Sequence, residues 1–188
     1  FDTIQTVTVS SFTNGITDIA VGDLDNDGWN DVVVTSNYNS VNDPILAVFL
    51  NNGHGRLNTA AAFAVQFRCC YLSSFVAIAD MGSPGGDGSR NDGWNDIVFV
   101  GRDQTGVLIN TRSTPFFNQT PDQEIITAAY AFETTKQIRL ADIGNTGGPS
   151  VIISWSGGAS QYPTEWSEGD LRLYRHTGNP APAPPKNV

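Results

Sequence analysis

Short β-branched and alternating apolar runs follow one another along the chain, each broken off by a polar turn. No long window carries the 3.6-residue period of an amphipathic helix. The runs fall into an order that recurs. An apolar strand ending in Asp comes first, at 18–23, 76–80 and 138–142. A β-branched strand follows a polar turn, at 32–35, 97–100 and 151–154. A third strand is predicted at 45–50, 106–110 and 171–175, and a fourth, outer one at 61–67 and 124–129. "NNGHG", Asn51–Gly55, reads as a hairpin turn with Gly where a positive φ is needed.

Aligned on these runs, the chain contains three units, at about 12–70, 71–129 and 130–178. Asp23, Asp80 and Asp142 stand at matching places, 57 and 62 residues apart by subtraction of their numbers. Four antiparallel strands recurring at this period are the pattern of a β-propeller blade, so the predicted class is all-β with about three blades. The opening "FDTIQTVTVSS", residues 1–11, then reads as the outer strand of a preceding blade, and the Pro-rich 179–188 as an extended linker or tail. Propellers close with about four to eight blades. Three therefore imply either a longer propeller or packing against other copies through uncovered blade edges.

Composition changes this picture in two ways. Nineteen acidic against ten basic residues leave a net charge of -9, which argues against nucleic acid and anionic membranes as partners and suits a chain that meets cations. No apolar run is long enough to span a membrane. The N-terminus has neither a start Met nor the layout of a signal peptide, so the chain reads as a mature product or a piece of something longer. The two cysteines, Cys69 and Cys70, are adjacent; a strained vicinal disulfide and two buried thiols both remain open.

The candidate chemistry lies in "GDLDNDGWNDVVV", residues 22–34. Asp23, Asp25, Asp27 and Asp31 occupy loop positions 1, 3, 5 and 9, with Gly28 at the sharp turn and the Trp29 carbonyl at position 7. These are places from which a calcium loop supplies its oxygens, and the ion would cancel the repulsion among the carboxylates. Position 12 is Val34 in a strand, where an EF-hand has a bidentate Glu, so the loop is not an EF-hand. Its expected affinity lies on the weak, extracellular side, roughly 10⁻⁴ to 10⁻³ M. An acidic turn whose Asp side chains only cap backbone N–H groups is the plainer alternative.

The second unit repeats the phrase as "RNDGWNDIVFV". Asp80, Asp92, Trp94 and Asp96 match Asp23, Asp27, Trp29 and Asp31, but eight extra residues intervene, and Asp87 or Asn91 would have to replace the Asp25 equivalent. The third unit keeps Asp142 and carries Gly144, Thr146 and Ser150 where the other carboxylates would be, so no metal is expected there. Trp29 and Trp94 hold equal places and are expected to pack between neighbouring blades.

On "VGDLDNDGWNDVVV", "VFLNNGHGRL" and "AIADM…NDGWNDIVFV", the chain resembles FG-GAP repeats, also called VCBS-type repeats, the propeller blades of integrin α-chains and many secreted proteins. The literal Phe-Gly and Gly-Ala-Pro elements are not clearly present. The resemblance implies a structural calcium between the first two strands of a blade and an extracellular or cell-surface location.

Evidence for catalysis is thin. His54 lies in a hairpin turn, His176 near the tail, and no nucleophile, metalloprotease or phosphate-loop motif is present. Trp155, Tyr162 and Trp166, in or beside a polar loop with acidic residues, suit stacking on a glycan or a protein partner, with core packing of Trp155 as the alternative. Asn118 opens a short N-glycosylation triplet, "NQT". The leading expectation is thus a calcium-stabilised binding, adhesion or assembly module without catalysis. Its rival is an ancillary or partial catalytic propeller of a polysaccharide-acting enzyme.

Overall fold

The computed structural model describes residues 5–9, 12, 15–36, 46–65, 75–82, 91–100, 104–118, 122–127, 134–143, 148–156 and 170–174. Cys69, Cys70, Asp87, Tyr162, Trp166, His176 and the 179–188 tail lie outside these residues. What is described is all-β: eleven strands in three antiparallel sheets.

The first sheet is a four-strand meander, β1 (Ile16–Gly22), β2 (Asp31–Ser36), β3 (Leu46–Phe49) and β4 (Phe63–Val65), hydrogen-bonded in chain order. The second repeats it with β5 (Phe75–Ala79), β6 (Asp96–Val100), β7 (Gln104–Leu108) and β8 (Gln123–Thr127). The third pairs β9 (Thr134–Ala141), β10 (Ser150–Ser156) and β11 (Asp170–Tyr174), with β10 central. The register is shared as well: Gly22 opposes Asp31, Ala79 opposes Asp96, and Ala141 opposes Ser150. Each sequence-matched trio of strands is therefore the same structural unit.

Alternation of side chains decides how the sheets stack. In β2 and β3, Val33, Leu46 and Val48 turn to one face; with Phe63 and Val65 of β4 they meet Val76, Ile97, Phe99 and Leu108 of the second sheet in one buried cluster. The other face of the second sheet offers Val98, Val100, Val107 and Ile109 to Ile138, Val151 and Ile153 of the third. The middle sheet is thus apolar on both faces, which is why "DIVFV" reads as a continuous rather than an alternating run. The far face of the first sheet, with Val34, Ala47 and Phe49, is covered by Phe12, Val7 and Val9. Residues 5–9 lie in none of the three sheets; Gln5 instead exchanges side-chain hydrogen bonds with the Leu57 backbone, at 2.7 and 3.0 Å.

The first strands of the units run beside each other, β1 against β5 and β5 against β9. Asp18 of β1 accepts the Val76 N–H of β5 at 3.0 Å. At this seam space is tight. A Cβ on Gly22 would lie 2.8 Å from Ile78 Cγ2, closer than real Cβ atoms come to a neighbour. Gly22→Ala is therefore expected to cost about 1–3 kcal/mol through overpacking, read as a lower denaturant midpoint at unchanged m-value; an unchanged midpoint would contradict the close approach of β1 and β5.

Candidate metal centre

The turn joining β1 to β2 is built around Asp23. Its two oxygens accept the N–H groups of Asp27 at 3.2 Å and Gly28 at 2.9 Å, so the chain closes on the carboxylate. Asp25 Oδ1 accepts the Asp27 N–H at 3.3 Å, and Asp27 Oδ1 accepts the Trp29 N–H at 2.8 Å. Two residues take the left-handed conformation to make this wrap, Asn26 at φ 59° and Gly28 at φ 91°. One ligand atom from each of Asp23, Asp25 and Asp27 lies within 4.8 Å of the others. That span fits a single calcium ion, whose bonds of about 2.3–2.6 Å set ligands up to about 5 Å apart. Each oxygen holding one N–H keeps a second lone pair for a cation.

The electrostatics of the turn are strained. Asp25 is pushed above the ordinary carboxylate range by burial first, then by the charges of Asp31 and Asp27; the Asp27 N–H pulls the other way. Among the described residues no ion pair reaches Asp23, Asp25 or Asp27.

Asp31 has a different job from the trio. It is fully buried, and its oxygens accept the N–H groups of Leu24 and of Asn51, both at 2.8 Å. It staples the acidic turn to the hairpin after β3. Burial pushes its pKa up, while those two N–H groups pull it down. Spacing predicts Asp31 as a ligand too; its bond to Asn51, 20 residues on, is a further role that the spacing does not contain. Trp29 is half exposed and lies against Gly53 of the hairpin in its own unit, where a Cβ would come within 3.1 Å of its Nε1.

The second unit reproduces this plan. Asp80 accepts the N–H groups of Asp92 at 3.1 Å and Gly93 at 2.7 Å, and Asp92 accepts that of Trp94 at 2.8 Å. Asn91 and Gly93 are left-handed, at φ 48° and 83°. Buried Asp96 takes the Met81 N–H at 2.6 Å and the Asn110 N–H at 2.7 Å, as Asp31 takes those of Leu24 and Asn51. Asp92 also receives the Arg112 guanidinium, at 2.5 Å from Nη2 and 3.1 Å from Nε. The first turn leans on this second unit: Asn95 donates to the Asp23 carbonyl at 2.8 Å and Asn110 to the Leu24 carbonyl at 2.7 Å. In the third unit, buried Ser150 stands at the Asp31 position, so the turn there lacks that carboxylate.

Of the other candidates, Asn118 is exposed and donates to Asp122 Oδ1 at 2.8 Å. Residue 155 lies within β10 rather than in the loop that follows it. His54 is exposed in its turn. No protein-family model, curated protein or solved structure matches the chain.

Two outcomes follow for the staples. Asp31→Ala strands two backbone N–H groups and is expected to cost about 3 kcal/mol of stability, measured by denaturant unfolding in chelator; a loss under about 1 kcal/mol would remove the staple role. Asp96 is pushed up to about 7, by burial most, then by Asp92 and Asp80, against the pull of the Asn110 and Met81 N–H groups. Its folded value lies above the ordinary 3.8. Between the two values the folded chain keeps a proton that the unfolded chain has released, so this contribution is full below about pH 4 and is lost as pH rises toward about 7. In chelator, the unfolding midpoint should fall across that window and Asp96→Asn should flatten the fall; a midpoint that climbs equally in both proteins would contradict it.

Proposed function

We propose that the chain is a calcium-stabilised run of FG-GAP/VCBS-type propeller blades, serving outside the cytoplasm in binding, adhesion or assembly, without catalysis of its own. The observation that carries this reading is the convergence of Asp23, Asp25 and Asp27 within 4.8 Å on a turn whose own backbone holds them there. Three carboxylates at that range repel, and the oxygens that accept those N–H groups keep lone pairs for a cation. A hard divalent cation satisfies both conditions. Its role is structural: it lets the β1–β2 connection turn sharply while Asp31 ties the same connection to the hairpin.

The blade reading draws support from the repeated meanders, their shared register and the neighbouring first strands. The ends of the stack support further blades or a second copy of the chain. Ile19 and Val21 are more than half exposed at one end, and Leu171 is 75% exposed beside Leu173 at the other. Asn30, the counterpart of Asn95, is likewise exposed, where Asn95 holds the preceding unit's turn. A further blade seated there would receive the same kind of bond. A protein or a glycan is the partner class proposed, with self-association through these ends as the assembly route.

The metal is tested with Asp25→Ala, which removes a ligand oxygen but neither of the Asp23 wrapping bonds. With a Kd near 10⁻⁴ M and calcium at about a hundred times that, the ion should add about 2.7 kcal/mol to the stability of the native chain. The variant should lose most of that increment in calcium and unfold close to the native chain in chelator. Equal losses under both conditions would contradict the metal assignment.

A further inference from the structure

The two acidic turns differ at one position that the duplication makes comparable. After β3, Asn51 caps its own turn by accepting the Gly53 N–H at 3.1 Å, and Gly53 sits at φ 75°. After β7, Asn110 does the same with the Arg112 N–H at 2.9 Å, and Arg112 sits at φ 61°. Asn51 and Asn110 also donate to the Asn30 and Asn95 carbonyls, each at 3.1 Å, and their N–H groups meet the paired staples Asp31 and Asp96. Gly53 and Arg112 are thus the same position in the two units.

A positive φ is ordinary for Gly and costly for Arg. The side chain that accepts this backbone reaches the neighbouring acidic turn. It lays Nη2 and Nε on Asp92 Oδ2, with the Asp92 side chain only 5% exposed. In the first unit the acidic turn has three converging carboxylates and the facing position carries no side chain. In the second, Asp92 sits beside Asp80 and the facing position carries a cation.

We propose that Arg112 is the tethered counter-cation of the second acidic turn, so that this turn folds without metal while the first needs an ion. The guanidinium does the work assigned to calcium in the first unit: it neutralises the carboxylate that receives the Trp94 N–H and fixes the hairpin against the turn. Charge-assisted hydrogen bonds to a nearly buried carboxylate are among the stronger ones, unlike a fully exposed surface pair. Only the contrast with the first turn rests on the calcium reading; the role of Arg112 stands on the second unit's own geometry.

The test is residue-resolved amide hydrogen exchange on the whole chain, in chelator and in calcium. In the native chain, protection of the Asp92, Gly93 and Trp94 amides should be the same in both conditions. In chelator, Arg112→Asn should lower the protection of Gly93 and Trp94 by about tenfold, while β2, β6 and β10 amides keep theirs. Asn tolerates the left-handed backbone, as Asn26 and Asn91 do here. Arg112→Lys, which keeps the charge, should retain most of the protection, and Arg112→Gln, which keeps the length without it, should lose it. Unchanged protection in both neutral variants would overturn the proposal, as would calcium-dependent protection of the second turn in the native chain. A first turn whose Asp27 and Gly28 amides ignore calcium would overturn the calcium reading instead, and leaves the Arg112 comparison intact.

Discussion

The structure depends on how closely spaced carboxylates are kept together. Each acidic turn places negative charge next to the end of a buried strand, and in water those charges would simply move apart. Backbone N–H groups hold them instead. Asp23 and Asp80 each gather two N–H groups from their own turn, while Asp31 and Asp96 each gather one from the turn and one from a distant hairpin. Dipoles of this kind offset part of the repulsion and none of the net charge. We propose that the remainder falls to a cation, an ion from solution at the first turn and the Arg112 guanidinium at the second.

This division links local turns to the stacking of the sheets. The staple carboxylates sit at the first residue of β2 and of β6, at the mouth of each apolar cluster. Asp31 holds the N–H of Leu24, and Asp96 holds that of Asn110 on the segment leading to Phe117; Leu24 and Phe117 are buried with Leu108 in the first cluster. Asn95 and Asn110 carry the same order from one unit to the next by holding the Asp23 and Leu24 carbonyls. Nearest-neighbour support of this sort is how repeat architectures accumulate stability.

Much of the fold was legible in the sequence, and for a plain reason. "DVVVTS", "DIVFV" and "SVIISWS" are β-branched runs bounded by turn residues, and their repetition at a long period identified the units; the strands found agree to within a few residues at their ends. The trio Asp23, Asp25 and Asp27 was legible because alternate residues of one short turn converge whatever lies around them. Asp31 was harder. Its spacing is that of a ligand, but its partner Asn51 lies 20 residues away, and no local pattern announces that bond. Arg112 was missed for the same reason, although laying "LNNG" over "INTR" would have set Gly53 against Arg112 and shown a cation where the first unit has none.

The central claim is that one acidic turn holds a free ion and the other holds a tethered one. Anomalous-difference density from crystals grown with calcium tests it most directly. The account predicts one strong peak, about 2.3–2.6 Å from oxygens of Asp23, Asp25 and Asp27, and none beside Asp92, where the Arg112 guanidinium stays in place. Absence of a peak at the first turn under saturating calcium, or a second peak between Asp80 and Asp92, would contradict it.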